Sequence, residues 1–180
     1  IQQTRRISTI MHSLVSFSHS GMQADQPCRP EPISMHSITS EAIQLMSLQQ
    51  DGRNIHYENH CDENIQINSD RQRLLQVLLN LLSNARDASN DEATIVVTNS
   101  IKDKQAILTV SDAGCGIPAG IQDRIFEPFF TTEKTGTGLG LYIAKELCEC
   151  NHAHLSYFPA DNGGSCFRIT FADPRRRRAD

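Results

Sequence analysis

The chain has 180 residues, 38% of them hydrophobic and 21% charged, which fits one globular domain of ordinary size plus a helical appendage. That composition excludes disordered, collagen-like and coiled-coil-only chains, and a net charge of −4 argues against nucleic acid gripped by a basic surface. No apolar run approaches the roughly 18 residues of a membrane span, and the opening Ile1-Gln2-Gln3-Thr4-Arg5-Arg6 is neither a signal peptide nor a natural start, so an excised segment is expected.

In residues 1–20, Ile7, Ile10, Leu14 and Phe17 are spaced by three, four and three, the seam of an amphipathic helix that seeks a partner helix. Residues 21–32 hold three prolines among polar neighbours and read as a linker, with a domain boundary near residue 30. A helix is expected over 34–50, with Ile38, Ala42, Leu45 and Met46 inward. The turn Asp51-Gly52 and two short strands, 55–60 and 65–68, follow it. Asp70 makes a helix start for an apolar run reaching Ala88. Strands at 94–99 and 105–111 are joined by the polar hairpin Lys102-Asp103-Lys104, and a helix is expected from 139 to about 150. The last strands, 155–158 and 165–171, flank the turn Asn162-Gly163-Gly164, which reads as a connection of no chemical interest. A basic tail, 174–180, ends the chain with four consecutive arginines. Helices interspersed with antiparallel hairpins predict an α+β fold. It should be a two-layer α/β sandwich whose mixed, mainly antiparallel sheet is covered by helices on one face.

The six cysteines (Cys28, Cys61, Cys115, Cys148, Cys150 and Cys166) form no Cys-x-x-Cys pair, so reduced thiols are expected and no cysteine-bound metal. Cys148 falls in a predicted helix and Cys166 in a predicted strand, where a thiol behaves as a small hydrophobe. Glycine is the uneven residue: eight of the ten lie between residues 114 and 164. Backbone conformations or close approaches that a side chain forbids are therefore expected in that stretch.

Three segments carry chemistry. On the helix after Asp70, Leu74, Leu78, Leu81, Ala85 and Ala88 share one face, while Asn80, Asn84 and Asp87 share the next. Asparagine is a mediocre helix former, so two in a Leu-rich helix need an account. Either they face solvent or make local hydrogen bonds, or their neutral amide oxygens hold a hard cation such as Mg2+. Asp112-Ala113-Gly114-Cys115-Gly116-Ile117-Pro118 directly follows a strand; it is a plain turn, or a place where backbone approaches a ligand and Asp112 accepts a hydrogen bond from a ligand amine. Gly136-Thr137-Gly138-Leu139-Gly140-Leu141 leads into a helix, whose free N–H groups and positive dipole end make a phosphate cradle. It is neither a P-loop nor a Gly-x-Gly-x-x-Gly turn. Between the last two lies Phe126-Glu127-Pro128-Phe129-Phe130-Thr131-Thr132, either ordinary core or the anchor of a lid.

Taken in order, these four segments resemble the N, G1, F and G2 boxes of the sensor histidine kinase ATP-binding domain, a member of the superfamily of gyrase, Hsp90 and MutL ATPases. The resemblance covers roughly residues 32–171. It implies an ATP-binding domain over 33–173, preceded over 1–20 by the second helix of a dimerisation and phosphotransfer hairpin, truncated here. It also implies that Asn84 and Asn80 hold Mg2+ and phosphate oxygens and act in catalysis. Asp112 would accept the adenine amino group in a pocket shaped by Gly114, Gly116 and Ile117. Gly136, Thr137, Gly138, Leu139 and Gly140 would cradle the phosphates, with Phe126, Thr131, Thr132 and Lys134 in an ATP lid over 126–135. The implied reaction passes the ATP γ-phosphoryl group to a histidine on the hairpin, for relay to a response regulator aspartate. The implied full-length protein is a homodimer on the cytoplasmic side of a bacterial membrane, and this chain a monomer or weak dimer.

The sequence departs from the family pattern in three places. His12-Ser13 and His19-Ser20 do not match the acceptor motif, a histidine followed by an acidic residue and then proline. Only Glu133-Lys134-Thr135 separates Thr132 from Gly136, a short lid. Asp87, counted among the nucleotide-binding residues, stands where many kinases place a lysine or arginine, so Arg73, Arg86 or Lys134 must supply the positive charge. The short lid and the Cys-rich ending are similar to the nitrogen-regulatory and pilus-regulatory kinases. Two other functions stand beside the kinase. A gyrase- or Hsp90-type hydrolase would need a glutamate where Asn80 stands, as a general base. A non-enzymatic nucleotide sensor would need only the pocket.

Overall fold

The computed structural model describes residues 27–48, 52–134 and 136–172. The expected N-terminal helix, most of the linker, Thr135 and the basic tail lie outside them.

Chain order is β1 (Glu31–Ser34), α1 (Met35–Ser47), β2 (His56–His60), β3 (Gln66–Ser69), α2 (Arg71–Ala88), β4 (Thr94–Lys102), β5 (Gln105–Ser111), a 3-10 turn (Ala119–Arg124), α3 (Gly140–Cys150), β6 (Ala153–Pro159) and β7 (Ser165–Phe171). Side chains start two helices. Ser34 Oγ accepts from Ser37 N–H at 3.3 Å and Asp70 Oδ1 from Arg73 N–H at 3.2 Å, each satisfying an N–H that the first turn leaves unpaired. Asp103 and Lys104, both at positive φ (52° and 65°), make the two-residue turn between β4 and β5. The ladder therefore runs on to Lys102↔Gln105, three residues past the expected end of the strand.

Five strands form one sheet in the order β2-β4-β5-β7-β6. Only β2 and β4 pair in parallel; the chain between them crosses back through β3 and α2. Alternation decides the rest. Ile95, Val97, Leu108, Val110, Leu155, Phe167 and Ile169 point to one side and are at most 2% exposed, while Thr98, Thr109, Arg168 and Ser156 point to the other. Helix α2, through Leu74, Val77, Leu78, Leu81, Leu82 and Ala85, packs on the apolar side between α1 and α3. The result is the α+β sandwich the pattern predicted, with a mixed sheet covered on one face.

Three expectations change. Glu31–Ser34 is a strand, not linker, because it pairs antiparallel with β3 (Ile33↔Ile67), so the folded unit begins before residue 33. Leu45, expected inward, is 39% exposed, and the inward positions of α1 go to Met35, Ile38, Thr39, Ala42 and Met46. Helix α3 starts at Gly140, with Leu139 buried as its N-cap residue. All six cysteines are free thiols. Cys148 lies on the buried face of α3, where desolvation pushes its thiol up to about 12.

Candidate functional site

The fold brings the C-terminal half of α2, the loop after β5 and the N-terminus of α3 together. At one end stands Asp112, the first residue beyond β5 and only 2% exposed. Its backbone N–H donates to the Ser165 carbonyl at 2.9 Å, and its Oδ1 accepts from Gly114 N–H at 2.8 Å and Ser165 N–H at 3.1 Å. Both donors fall on one oxygen, which leaves Oδ2 able to accept from a ligand. Burial raises the carboxyl above the usual carboxylate range, and the two N–H bonds oppose that rise without reversing it.

Glycine permits this loop because backbone lies against backbone. A Cβ on Gly114 would sit 2.3 Å from the Ala88 carbonyl oxygen at the end of α2. A Cβ on Gly164 would sit 2.0 Å from the Asp112 carbonyl oxygen, and one on Gly116 (φ +68°) would sit 2.5 Å from that of Gly163. The turn 162–164 is therefore not the idle connection its sequence suggests, since it braces the Asp112 loop from behind. Ile117 N–H donates to Tyr157 Oη at 3.2 Å, and the Phe167 ring meets those of Tyr157 and Phe126, at 5.4 and 6.4 Å.

At the other end, Asn80 Nδ2 donates to the Gly140 carbonyl at 3.2 Å, tying the asparagine face of α2 to the first residue of α3. Asn84, one turn further along, is half-buried, and its side chain makes no hydrogen bond among the described residues. No described side chain caps α3, and Thr137 Oγ1 accepts from Leu139 N–H at 3.4 Å. The first N–H groups of the helix are thus available to an anion. Space in front of Gly140 is open, with nothing within 4 Å of a Cβ placed there.

The glycine loop between the ends is closed at its base by Phe129 N–H donating to the Gly138 carbonyl at 2.9 Å. Both residues have positive φ, 65° and 68°, and a Gly138 Cβ would lie 2.4 Å from the Phe129 carbonyl carbon. Gly136 packs on Thr131 Oγ1. Thr131, Thr132 and Lys134 are exposed along this loop. Of the three aromatic residues in the Phe126–Phe130 stretch, Phe126 and Phe130 are half-buried against the core, Phe130 also lying under Arg124 at 4.6 Å, while Phe129 is 66% exposed.

Of the three basic residues expected near the phosphates, Arg73 is excluded. It is 4% exposed, ion-paired with Asp70 in the first turn of α2, and eleven residues from Asn84, about 16 Å along the helix. Arg86 Nε lies 3.5 Å from Asp87 Oδ1. A further basic residue, Arg53, stands just before β2. It donates to the carbonyls of Arg86 (2.9 Å) and Ser89 (3.4 Å), and also to Asp87 Oδ1 at 3.4 Å. No motif marks Arg53, since its role depends on the segment before β2 lying against the C-terminal end of α2. Among the described residues no cluster of three His, Cys, Asp or Glu side chains has the arrangement of a metal centre.

The sandwich thus sets a buried carboxylate at one end of the site and a helix N-terminus without a described side-chain cap at the other. The family model for histidine kinase-, DNA gyrase B- and HSP90-like ATPases matches residues 69–175. The sensor kinase PilS of Pseudomonas aeruginosa is 44% identical over 117 residues, 62% of this chain and 22% of PilS. The sensor histidine kinase ZraS of Escherichia coli K12 is 31% identical over 177 residues, 94% of this chain and 36% of ZraS. The solved catalytic domain of histidine kinase ThkA superposes with a TM-score of 0.74 at 28% identity, covering 83% of this chain and 99% of that domain. The chain belongs to this ATPase family. It spans about a fifth to a third of the length of the curated relatives named here. Among the described residues no helix is long and apolar enough to cross a membrane.

Proposed function

We propose that this domain binds Mg-ATP in the crevice between α2 and α3 and passes the γ-phosphoryl group to a histidine on a dimerisation hairpin, for relay to a response regulator. The observation that supports this best is the Asn80–Gly140 hydrogen bond, which sets neutral amide acceptors beside the uncapped start of α3. Asp112 selects adenine by accepting its amino group. Gly136, Thr137, Gly138, Leu139 and Gly140 line the phosphates, while Ile117 and Phe126 flank the base side. Thr131, Thr132 and Lys134 form the lid.

The donor set fits Mg2+. With Nδ2 engaged on Gly140, Asn80 keeps its oxygen for a hard cation, and Asn84 offers another. When bound, Mg2+ neutralises charge on the transferring phosphates. The protein's own part is positioning: Asp112 fixes the base, and the N–H groups of α3 fix the phosphates. Hydrolysis as the main activity is disfavoured, because Asn80 takes no proton and leaves water without a general base there. The whole protein is proposed as a homodimer anchored on the cytoplasmic side of a membrane, with residues 1–20 in its hairpin and this chain a monomer or weak dimer. Its type is the pilus- or nitrogen-regulatory one, in line with the PilS likeness.

Labelled ATP, with a separate histidine-containing hairpin added in trans, tests the reaction. Label on the hairpin histidine is expected, and Asn84→Ala should abolish both transfer and calorimetric Mg-ATP binding while the fold persists. Binding without transfer would favour a nucleotide sensor, and rapid phosphate release without labelled protein a hydrolase.

A further inference from the structure

Asp87 poses an electrostatic problem for the nucleotide site. It lies one turn beyond Asn84 on the same face of α2, so a carboxylate stands next to the proposed position of a polyanion. Two guanidinium groups meet it there. Arg86 Nε is 3.5 Å from Oδ1 on one side, and Arg53 Nη2 is 3.4 Å from the same oxygen on the other.

Arg53 also grips the helix itself. Its Nη1 donates to the carbonyls of Arg86 and Ser89, which the end of α2 leaves with few partners of their own. The neighbouring Asn54 N–H donates to Asp91 Oδ1 at 2.7 Å, and His56 N–H to the Ala93 carbonyl at 2.9 Å, so the segment before β2 is laced to the α2–β4 connection. The last turn of α2 held in this way carries Asp87, and its Ala88 carbonyl backs Gly114 of the Asp112 loop.

We infer that Arg53 is a positioning residue for the nucleotide site, one that caps the end of α2 and binds the Asp87 carboxylate so that it does not oppose the phosphates. This rests on the reading of α2 and α3 as an ATP site, and it deepens that reading by making the Arg53–Asp87 pair one determinant of phosphate affinity. A planar fork suits the task, because a single side chain reaches two carbonyls and a carboxylate at once.

The test compares calorimetric affinities for Mg-ATP and adenosine in the wild-type protein, Arg53→Ala, Arg53→Lys and the double variant Arg53→Ala/Asp87→Asn, with circular dichroism reporting the fold. Arg53→Ala should weaken Mg-ATP about tenfold, the scale of one unit charge freed near a polyanion at a protein surface, and leave adenosine within about twofold. The loss should shrink in 1 M salt. The double variant should recover most of the affinity, and Arg53→Lys should fall between wild type and Arg53→Ala, because it keeps the charge but loses the fork. Equal losses for ATP and adenosine, no recovery on neutralising Asp87, or a full loss in Arg53→Lys would overturn the proposal. Should Arg53→Ala not fold, Arg53→Lys decides on the same criterion. A wild-type protein that binds no nucleotide would instead refute the ATP site itself, so the two failures are distinguishable.

Discussion

Around Asp112 the contacts are backbone on backbone, whereas the glycine loop before α3 is held at a few points and stands largely in solvent. Gly114, Gly116 and Gly164 each abut a carbonyl group that a methyl group would strike, and Asp112 itself is buried. In the loop, Thr131, Thr132, Glu133, Lys134 and Gly136 are all exposed, and one backbone bond, Phe129 to Gly138, closes its base. The Asp112 end is thus held backbone against backbone, and the glycine loop is an appendage before a helix N-terminus. On the proposed reading, a nucleotide would meet a preformed base position and order the phosphate side. Rigidity here follows from which groups approach: carbonyls against glycine leave no slack, while exposed side chains leave a great deal.

Glycine substitutions should break the contrast most sharply. Gly164→Ala forces a methyl group against the Asp112 carbonyl and should cost roughly 3 kcal/mol or more in denaturant unfolding. Gly140→Ala meets open space at the start of a helix and should shift stability by less than about 1 kcal/mol in the same measurement. Comparable losses in the two variants would erase the distinction between the ends.

The next effect sharpens the chemistry of the base end. Asp112→Asn should weaken ATP by about 1.5–3 kcal/mol in calorimetric titration, the scale of a hydrogen bond to a charged group. The pH dependence has a definite sign. Burial raises the folded-state pKa of Asp112 above its unfolded value, so the folded protein holds the extra proton between the two. The Asp112 contribution to stability is therefore present below the unfolded pKa and is lost as pH rises through the folded one. Nucleotide binding runs the other way, because a protonated Asp112 accepts less well and affinity falls as pH drops through the raised pKa. Denaturation and binding profiles with these opposite slopes, both flattened in Asp112→Asn, are the expected result.

The smallest effect belongs to the exposed loop. Arg124, exposed, lies over the half-buried Phe130 ring and pairs with the exposed Glu127 at 3.2 Å. Arg124→Ala should cost no more than about 1 kcal/mol in thermal unfolding. A loss as large as that of Gly164→Ala would show the loop to be part of the core.

Periodicity and local chemistry made much of this protein legible from sequence. Asp70 reads as a helix start because its side chain accepts from its own helix, and Leu74, Leu78 and Leu81 read as core because helical spacing puts them on one face. The asparagine pair, the strand-end aspartate and the glycine loop were legible for the same reason: each is a local pattern whose chemistry needs few neighbours. What tertiary structure alone decided involves residues far apart in the chain. Arg53 reaches carbonyls more than thirty positions away, Gly164 turns from an idle turn residue into the brace of Asp112, and Arg73, a reasonable phosphate ligand by type, is buried at the opposite end of its helix. No window of sequence contains those pairs. Covalent spacing sets which residues share a face, and only the packing of α2 against β4, β5 and α3 sets which faces meet.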